Sequence, residues 1–113
     1  MYSEERPWGR FEVLAEEGRY KVKRLIVQPG QRISYQSHRS RSERWTVVSG
    51  KAVVIIEDTR SHLGPGDVIA IEKGEKHRLE NQEDVPLVVI EVQLGDYLGE
   101  DDIRRYVDDY DRC

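Results

Sequence analysis

GQRISYQSHRSRSERWTVVSG, residues 30–50, and GDVIAIEKGEKHRLEN, residues 66–81, decide how this chain is read. In the first, Gly30 is followed after five residues by Gln36, after one by His38, after four by Glu43 and after six by Gly50. The second runs Gly66, five residues, Glu72, one residue, Gly74, two residues, His77, three residues, Asn81, and fifteen residues separate the halves. Each reads as a strand–turn–strand unit, with short runs of β-branched and aromatic residues between glycines that permit turns a strand cannot make.

The same punctuation recurs outward from these halves. Strand-like runs lie at 9–15, 20–28, 32–37, 43–49, 51–58, 60–63, 67–71, 77–81 and 87–94. They are broken by Glu17-Gly18, Pro29-Gly30, Ser49-Gly50, Pro65-Gly66, Lys73-Gly74 and Asp84-Val85-Pro86. Nine short strands without helical periodicity predict an all-β sandwich or barrel. After Gly99 come Glu100 and five aspartates. A short helix is expected over 101–106, its leading acids facing the positive end of the helix dipole.

At 113 residues the chain has the length of a single domain, 1–113, able to hold a core without disulfides. Eighteen Lys and Arg against 22 Asp and Glu leave a net charge of −4, which does not support general binding to nucleic acid or acidic lipid. The longest apolar runs, Val53-Val54-Ile55-Ile56 and 85–90, fall short of the ~18 residues a spanning helix needs. Residues 1–10 carry acids and no apolar stretch of the kind a leader requires. A cytoplasmic location is expected. The only cysteine, Cys113, offers no internal disulfide and rules out a cysteine-based zinc site within one chain.

The two halves resemble the two-part motif of the cupin superfamily, G-x5-H-x-H-x(3,4)-E-x6-G and G-x5-P-x-G-x2-H-x3-N, with Gln36 in place of the first His and Glu72 in place of Pro. The fold this implies is a double-stranded β-helix, or jelly-roll barrel. Strand geometry agrees: residues two apart share a face, so Gln36 and His38 can aim at one point, with Glu43 across a turn and His77 on a separate strand. Imidazole, carboxylate and amide oxygen form a mixed N/O set suited to one divalent ion, Zn, Mn, Fe, Co or Ni, with positions left open. His62 fits no position of the motif and is expected to be exposed.

A closer likeness covers residues 6–113. RPWG (6–9), YKVKR (20–24), QSH (36–38), RSE (41–43), WTVVSG (45–50), HRLEN (77–81), IEVQ (90–93) and YLGEDDI (97–103) are similar to the type II mannose-6-phosphate isomerase cupin. That cupin also occurs as the C-terminal domain of bifunctional mannose-1-phosphate guanylyltransferases. Gln in the first metal position is itself a mark of that family. The chain departs from it at Arg39, Ser40 and Arg44, where the family has His. A regular strand would place Ser40 on the inward face of Gln36 and His38.

The resemblance implies that Gln36, His38, Glu43 and His77 hold the metal and that the reaction interconverts mannose 6-phosphate and fructose 6-phosphate through an enediolate. Lys23 and Glu91 are the candidate bases, both able to face inward with Lys21 and Gln93; the alternative for Lys23 is a solvated strand position. Arg41 and Arg78 are the candidate phosphate partners, although Arg78 alternates with His77 and could instead face outward and pair with Glu80 or Glu91. The 97–103 segment reads as a lid over the barrel mouth, a contact with a partner subunit, or a solvated acidic tail within 95–113. Two other functions compete: a non-enzymatic sugar-binding module, and a metal-dependent oxygenase. A homodimer is expected, formed through an edge strand or an exchanged N-terminal segment, with Val22, Ile26 and residues 53–56 as its apolar surface.

Overall fold

The computed structural model describes residues 2–109, so Cys113, its expected lack of an internal disulfide and the end of the acidic tail lie outside the described residues. The described strands are β1 (Tyr2–Arg6), β2 (Gly9–Glu17), β3 (Tyr20–Val27), β4 (Tyr35–Ser37), β5 (Arg41–Ser49), β6 (Ala52–Ile56), β7 (Thr59–Leu63), β8 (Val68–Ile71), β9 (His77–Glu80), β10 (Leu87–Gly95) and β11 (Arg104–Val107). They form two antiparallel sheets, ordered β1-β2-β3-β10-β5-β8 and β11-β4-β9-β6-β7. This is a double-stranded β-helix. No helix among the described residues is long and apolar enough to cross a membrane.

Three sequence expectations need correction. The strand expected at 32–37 is regular only from Tyr35 to Ser37, with Arg32 making an isolated bridge to Glu80. The exposed, polar β1 shows no alternation, yet it pairs with β2 from Tyr2↔Val13 to Arg6↔Gly9. The helix expected at 101–106 is instead a turn at 100–101 followed by β11. A six-residue helix is marginal in water, whereas an extended segment satisfies the open edge of β4 through the pairs Arg104↔Ser37 and Arg105↔Gln36.

Residue alternation along three neighbouring strands sets where the site forms. In β5 the buried positions are Arg41, Glu43, Trp45 and Val47; in β10 they are Leu87, Val89, Glu91 and Gln93. In β3, Lys21, Lys23, Leu25 and Val27 are buried. Register aligns Lys23, Glu91 and Trp45 in one row and Lys21, Gln93 and Glu43 in the next. The inner face is therefore apolar at one end and strongly polar at the other. The apolar end holds Leu25, Val27, Val47, Leu87 and Val89, packed with Trp8, Phe11 and Leu79. Three of the residues expected to form a pairing surface, Ile26, Val53 and Val54, are buried within the chain itself.

Candidate functional site

At the polar end, His38 lies just beyond β4, Glu43 within β5 and His77 at the start of β9. One potential ligand atom from each lies within 4.8 Å of the other two, and the three residues are 4%, 1% and 1% exposed. Both imidazoles are anchored through Nδ1, which donates to the Asp102 carbonyl from His38 (2.7 Å) and to the Glu75 carbonyl from His77 (2.9 Å). A carbonyl can only accept, so these bonds make Nδ1 the donor in each ring and leave both Nε2 atoms facing Glu43. The separations are 3.3 Å from His38 Nε2 to Glu43 Oε2 and 3.9 Å from His77 Nε2 to Glu43 Oε1. Gln36 stands directly opposite His77 in the β4–β9 pairing. Its Nε2 donates to Ser34, so its Oε1 is the atom available to an ion.

Electrostatics favour a cation here. Burial, with the charges of Arg41 and His77, pushes His38 down to about 4, so its imidazole is neutral at pH 7 as a metal ligand must be. Burial alone would raise the Glu43 carboxyl, but His77 and Arg41 outweigh it and hold it below the usual carboxylate range. The Arg41 guanidinium already acts as a stand-in cation, donating from Nε to Glu43 Oε2 (2.8 Å) and from Nη2 to His38 Nε2 (3.2 Å). Two imidazole nitrogens, a carboxylate and an amide oxygen, all without thiolate, fit a divalent ion.

Beside the cluster, and reached from it through Gln36 and Arg41, lies a cavity whose polar walls include Arg6, Lys23, Gln36, Arg41, Glu91 and Glu100, over an apolar floor of Trp8, Phe11, Leu25 and Ile33. Trp45 Nε1 bridges the cluster to the cavity, donating to Glu43 Oε1 (3.0 Å) and Glu91 Oε2 (3.1 Å). Gln93 Nε2 donates to Glu91 Oε1 at 2.7 Å, so both Glu91 oxygens are held. Burial and the nearby Glu43 carboxylate push Glu91 up to about 7, against the pull of Lys23 and Arg41. Lys23 Nζ meets Glu100 Oε2 at 2.6 Å and lies 4.0 Å from the centre of the Phe11 ring.

The remaining candidates separate. Arg78 is on the opposite face of β9 from His77, where its Nε donates to the Ile33 carbonyl (2.7 Å) and it borders a different hollow with Arg32, Tyr35, Arg60 and Glu80. Its ion pair is to Asp109 at 3.4 Å, not to Glu80 or Glu91. Ser40 sits in a bend rather than a regular strand, its backbone N–H donating to Asp102 Oδ2, so the expected alternation stops at His38. His62 is exposed. The 97–103 segment does cross the site, fastened by Lys21 Nζ on the Leu98 carbonyl (3.0 Å), by Lys23 on Glu100 and by Asp102 on the loop at Arg39 and Ser40. Sequence reasoning missed Glu100 and Asp102 because an acidic run carries no periodicity to show which acids turn inward.

Residues 2–108 match the family described as mannose-6-phosphate isomerase C-terminal. The mannose-1-phosphate guanylyltransferase of Escherichia coli K12 is 45% identical over 107 residues, covering 95% of this chain and 22% of that protein. The alginate biosynthesis protein AlgA of Pseudomonas aeruginosa is 46% identical over 107 residues, again 95% of this chain and 22% of that one. The chain thus spans 22% of the length of these curated relatives. Among solved structures, a conserved protein with a double-stranded β-helix domain from Klebsiella pneumoniae superposes with a TM-score of 0.73 at 26% identity, over 82% of this chain and 79% of that one.

Proposed function

This chain belongs to the mannose-6-phosphate isomerase C-terminal family, and we propose that it interconverts mannose 6-phosphate and fructose 6-phosphate. The observation that carries the proposal is that Arg41 and Trp45 join the His38–Glu43–His77 cluster to the cavity lined by the buried Glu91. Gln36, His38, Glu43 and His77 would hold a divalent ion, whose chemistry when bound is Lewis-acid polarisation of the sugar's carbonyl and hydroxyl oxygens.

The chain's own residues do the rest. Glu91 is the base: its carboxylate takes the proton from C2 of the aldose, giving an enediolate, and returns it to C1, while the hydroxyl proton passes from O2 to O1. A carboxyl pushed up to about 7 is matched to both halves of that transfer near neutral pH. Trp45 and Gln93 keep its oxygens oriented. Lys23, already paired with Glu100, serves as a cation rather than as the base. Arg41 faces the cavity and takes the sugar's anionic end, a role Arg78 cannot share from the other side of β9. A second reading, a sugar-binding module without turnover, is favoured by the Glu100 carboxylate that already occupies Lys23.

The test is a coupled assay for fructose 6-phosphate on metal-stripped protein with Zn²⁺, Mn²⁺, Co²⁺ or Ni²⁺ restored, beside His77→Ala and Glu91→Gln. Turnover that needs metal and is lost in both variants supports the isomerase. Stoichiometric sugar-phosphate binding without turnover selects the second reading.

A further inference from the structure

Lys21 and Lys23 are both buried on the inner face of β3, and together with Arg41 they bring three buried cationic side chains to one end of the barrel. Burying ammonium groups is costly unless the pairing is good, and apolar residues fill a core at least as well. The pairing here is thin. Glu100 is shared, 2.6 Å from Lys23 Nζ and 3.6 Å from Lys21 Nζ; Glu16 reaches only Lys21, at 3.7 Å, and Lys21 Nζ also donates to the Leu98 carbonyl at 3.0 Å. Arg41 Nη1 is buried without a hydrogen-bond partner. Arg6 and Arg105 add two more guanidinium groups to the cavity walls, where Glu91 and Glu100 are the acids.

Glu100 differs from every other polar group in this constellation because it does not come from the barrel. It lies in the turn at 100–101, and its side chain is 45% exposed. Rotating that side chain to solvent would leave Lys23 without an acid and Lys21 with only the Leu98 carbonyl and Glu16, and would leave the segment fastened two residues later, where Asp102 Oδ1 and Oδ2 accept from the Arg39 and Ser40 amides and its carbonyl accepts from His38. The carboxylate therefore sits on a hinge that opens without disturbing the metal-ligand cluster.

We propose that the Glu100 carboxylate is an internal stand-in for a phosphate monoester: the sugar's phosphate displaces it from Lys21 and Lys23, completes the unfilled Arg41 donor, and turns Glu100 outward. Phosphate suits the site because it presents several acceptor oxygens to converging cations, where one carboxylate leaves a donor unused. This rests on the sugar-phosphate reading above and adds to it the residues that bind the phosphate and the acid that guards them. Glu100 is a specificity element: it makes an anionic sugar compete for entry and leaves an uncharged sugar nothing to gain.

The test is calorimetric titration of the full chain, metal-stripped so that phosphate cannot report on an ion, with inorganic phosphate, glucitol 6-phosphate and mannose. Glucitol 6-phosphate has the charge of the substrate and no carbonyl to isomerise. Glu100→Gln removes the competing charge and should tighten both phosphates roughly tenfold. Lys23→Met should weaken them by roughly tenfold or more, and Lys23→Arg, which keeps the charge, should retain binding even where Lys23→Met fails to fold. Mannose should bind no better to Glu100→Gln than to the unaltered protein. Phosphate affinity that is unchanged or weaker in Glu100→Gln, undiminished in a folded Lys23→Met, or undetectable in all forms would overturn the proposal. Turnover is not read here, so an inactive protein with this binding pattern would sink only the isomerase reading, and an active one without it would sink only this inference.

Discussion

Metal-stripped protein taken from pH 7 to pH 4 should reveal two opposing contributions to stability, separable by single substitutions. His38 is pushed from 6.5 to about 4 by burial and by the charges of Arg41 and His77. Between those values the unfolded chain binds a proton that the folded chain refuses, so this contribution is present above pH 6.5 and lost as the pH falls toward 4. At 1.36 kcal/mol per unit it is on the order of 3 kcal/mol. Glu91 acts in the opposite sense, raised from 4.5 to about 7 by burial and by Glu43. Here the folded chain keeps a proton that the unfolded chain releases, so the contribution is present below pH 4.5 and lost as the pH rises through 7, again on the order of 3 kcal/mol.

The two nearly offset each other in the unaltered protein. Glu91→Gln keeps only the His38 effect, so its stability relative to the unaltered protein should grow by about 3 kcal/mol between pH 4.5 and 7. With a urea slope of ~1–3 kcal/mol/M, that is a relative shift of about 1–3 M in the unfolding midpoint. His38→Gln should show the reverse, losing stability relative to the unaltered protein as the pH rises from 4 to 6.5. Carboxylates paired elsewhere, such as Glu12 and Asp109, titrate in all three proteins and cancel in the differences. Parallel midpoint-against-pH curves for the three proteins would refute the burial and charge assignments on which the site rests.

Metal restored at about 100 times its dissociation constant should stabilise the fold by ~2.7 kcal/mol. For a chain of this size that is a rise of about 10–20 °C in Tm by calorimetry, and Glu43→Gln should abolish it. Trp45→Phe removes one donor from both Glu43 and Glu91, so denaturant titration should show a loss of about 1–3 kcal/mol and metal affinity should fall ~10–100-fold. Gly95→Ala would place a Cβ 2.2 Å from the Ser40 carbonyl oxygen. The β10–β5 pairing must shift to accept it, at a cost of about 1–3 kcal/mol in a urea melt.

The barrel was legible because it rests on short-range regularities, and the four proposed metal ligands because they stand at the positions of the two-part motif the chain resembles. Glycine punctuation marked the turns, and two-residue alternation put Lys23, Glu91 and Gln93 on the inner face, where register then aligned Glu91 with Lys23. The rest depends on tertiary partners. Whether residues 101–106 coil or extend is settled by the unpaired edge of β4, which local propensity cannot see. Arg78 lay beyond resolution for the same reason: alternation from His77 turned it outward, but only the arrival of Asp109 and the Ile33 carbonyl explains why it is buried there. Ser40 shows the opposite failure, a two-residue rule extended past the point where the backbone bends. Glu100 was hidden in an acidic run whose members look alike until the segment is laid across two buried lysines.

The central claim is that Gln36, His38, Glu43 and His77 hold one divalent ion and that isomerisation depends on it. Its most direct test is a titration of metal into stripped protein in which bound metal and the rate of fructose 6-phosphate formation are measured on the same samples. The account predicts a rate that rises in proportion to bound ion and levels at one ion per chain. One ion bound per chain with no turnover, or turnover that persists in fully stripped protein, would contradict it.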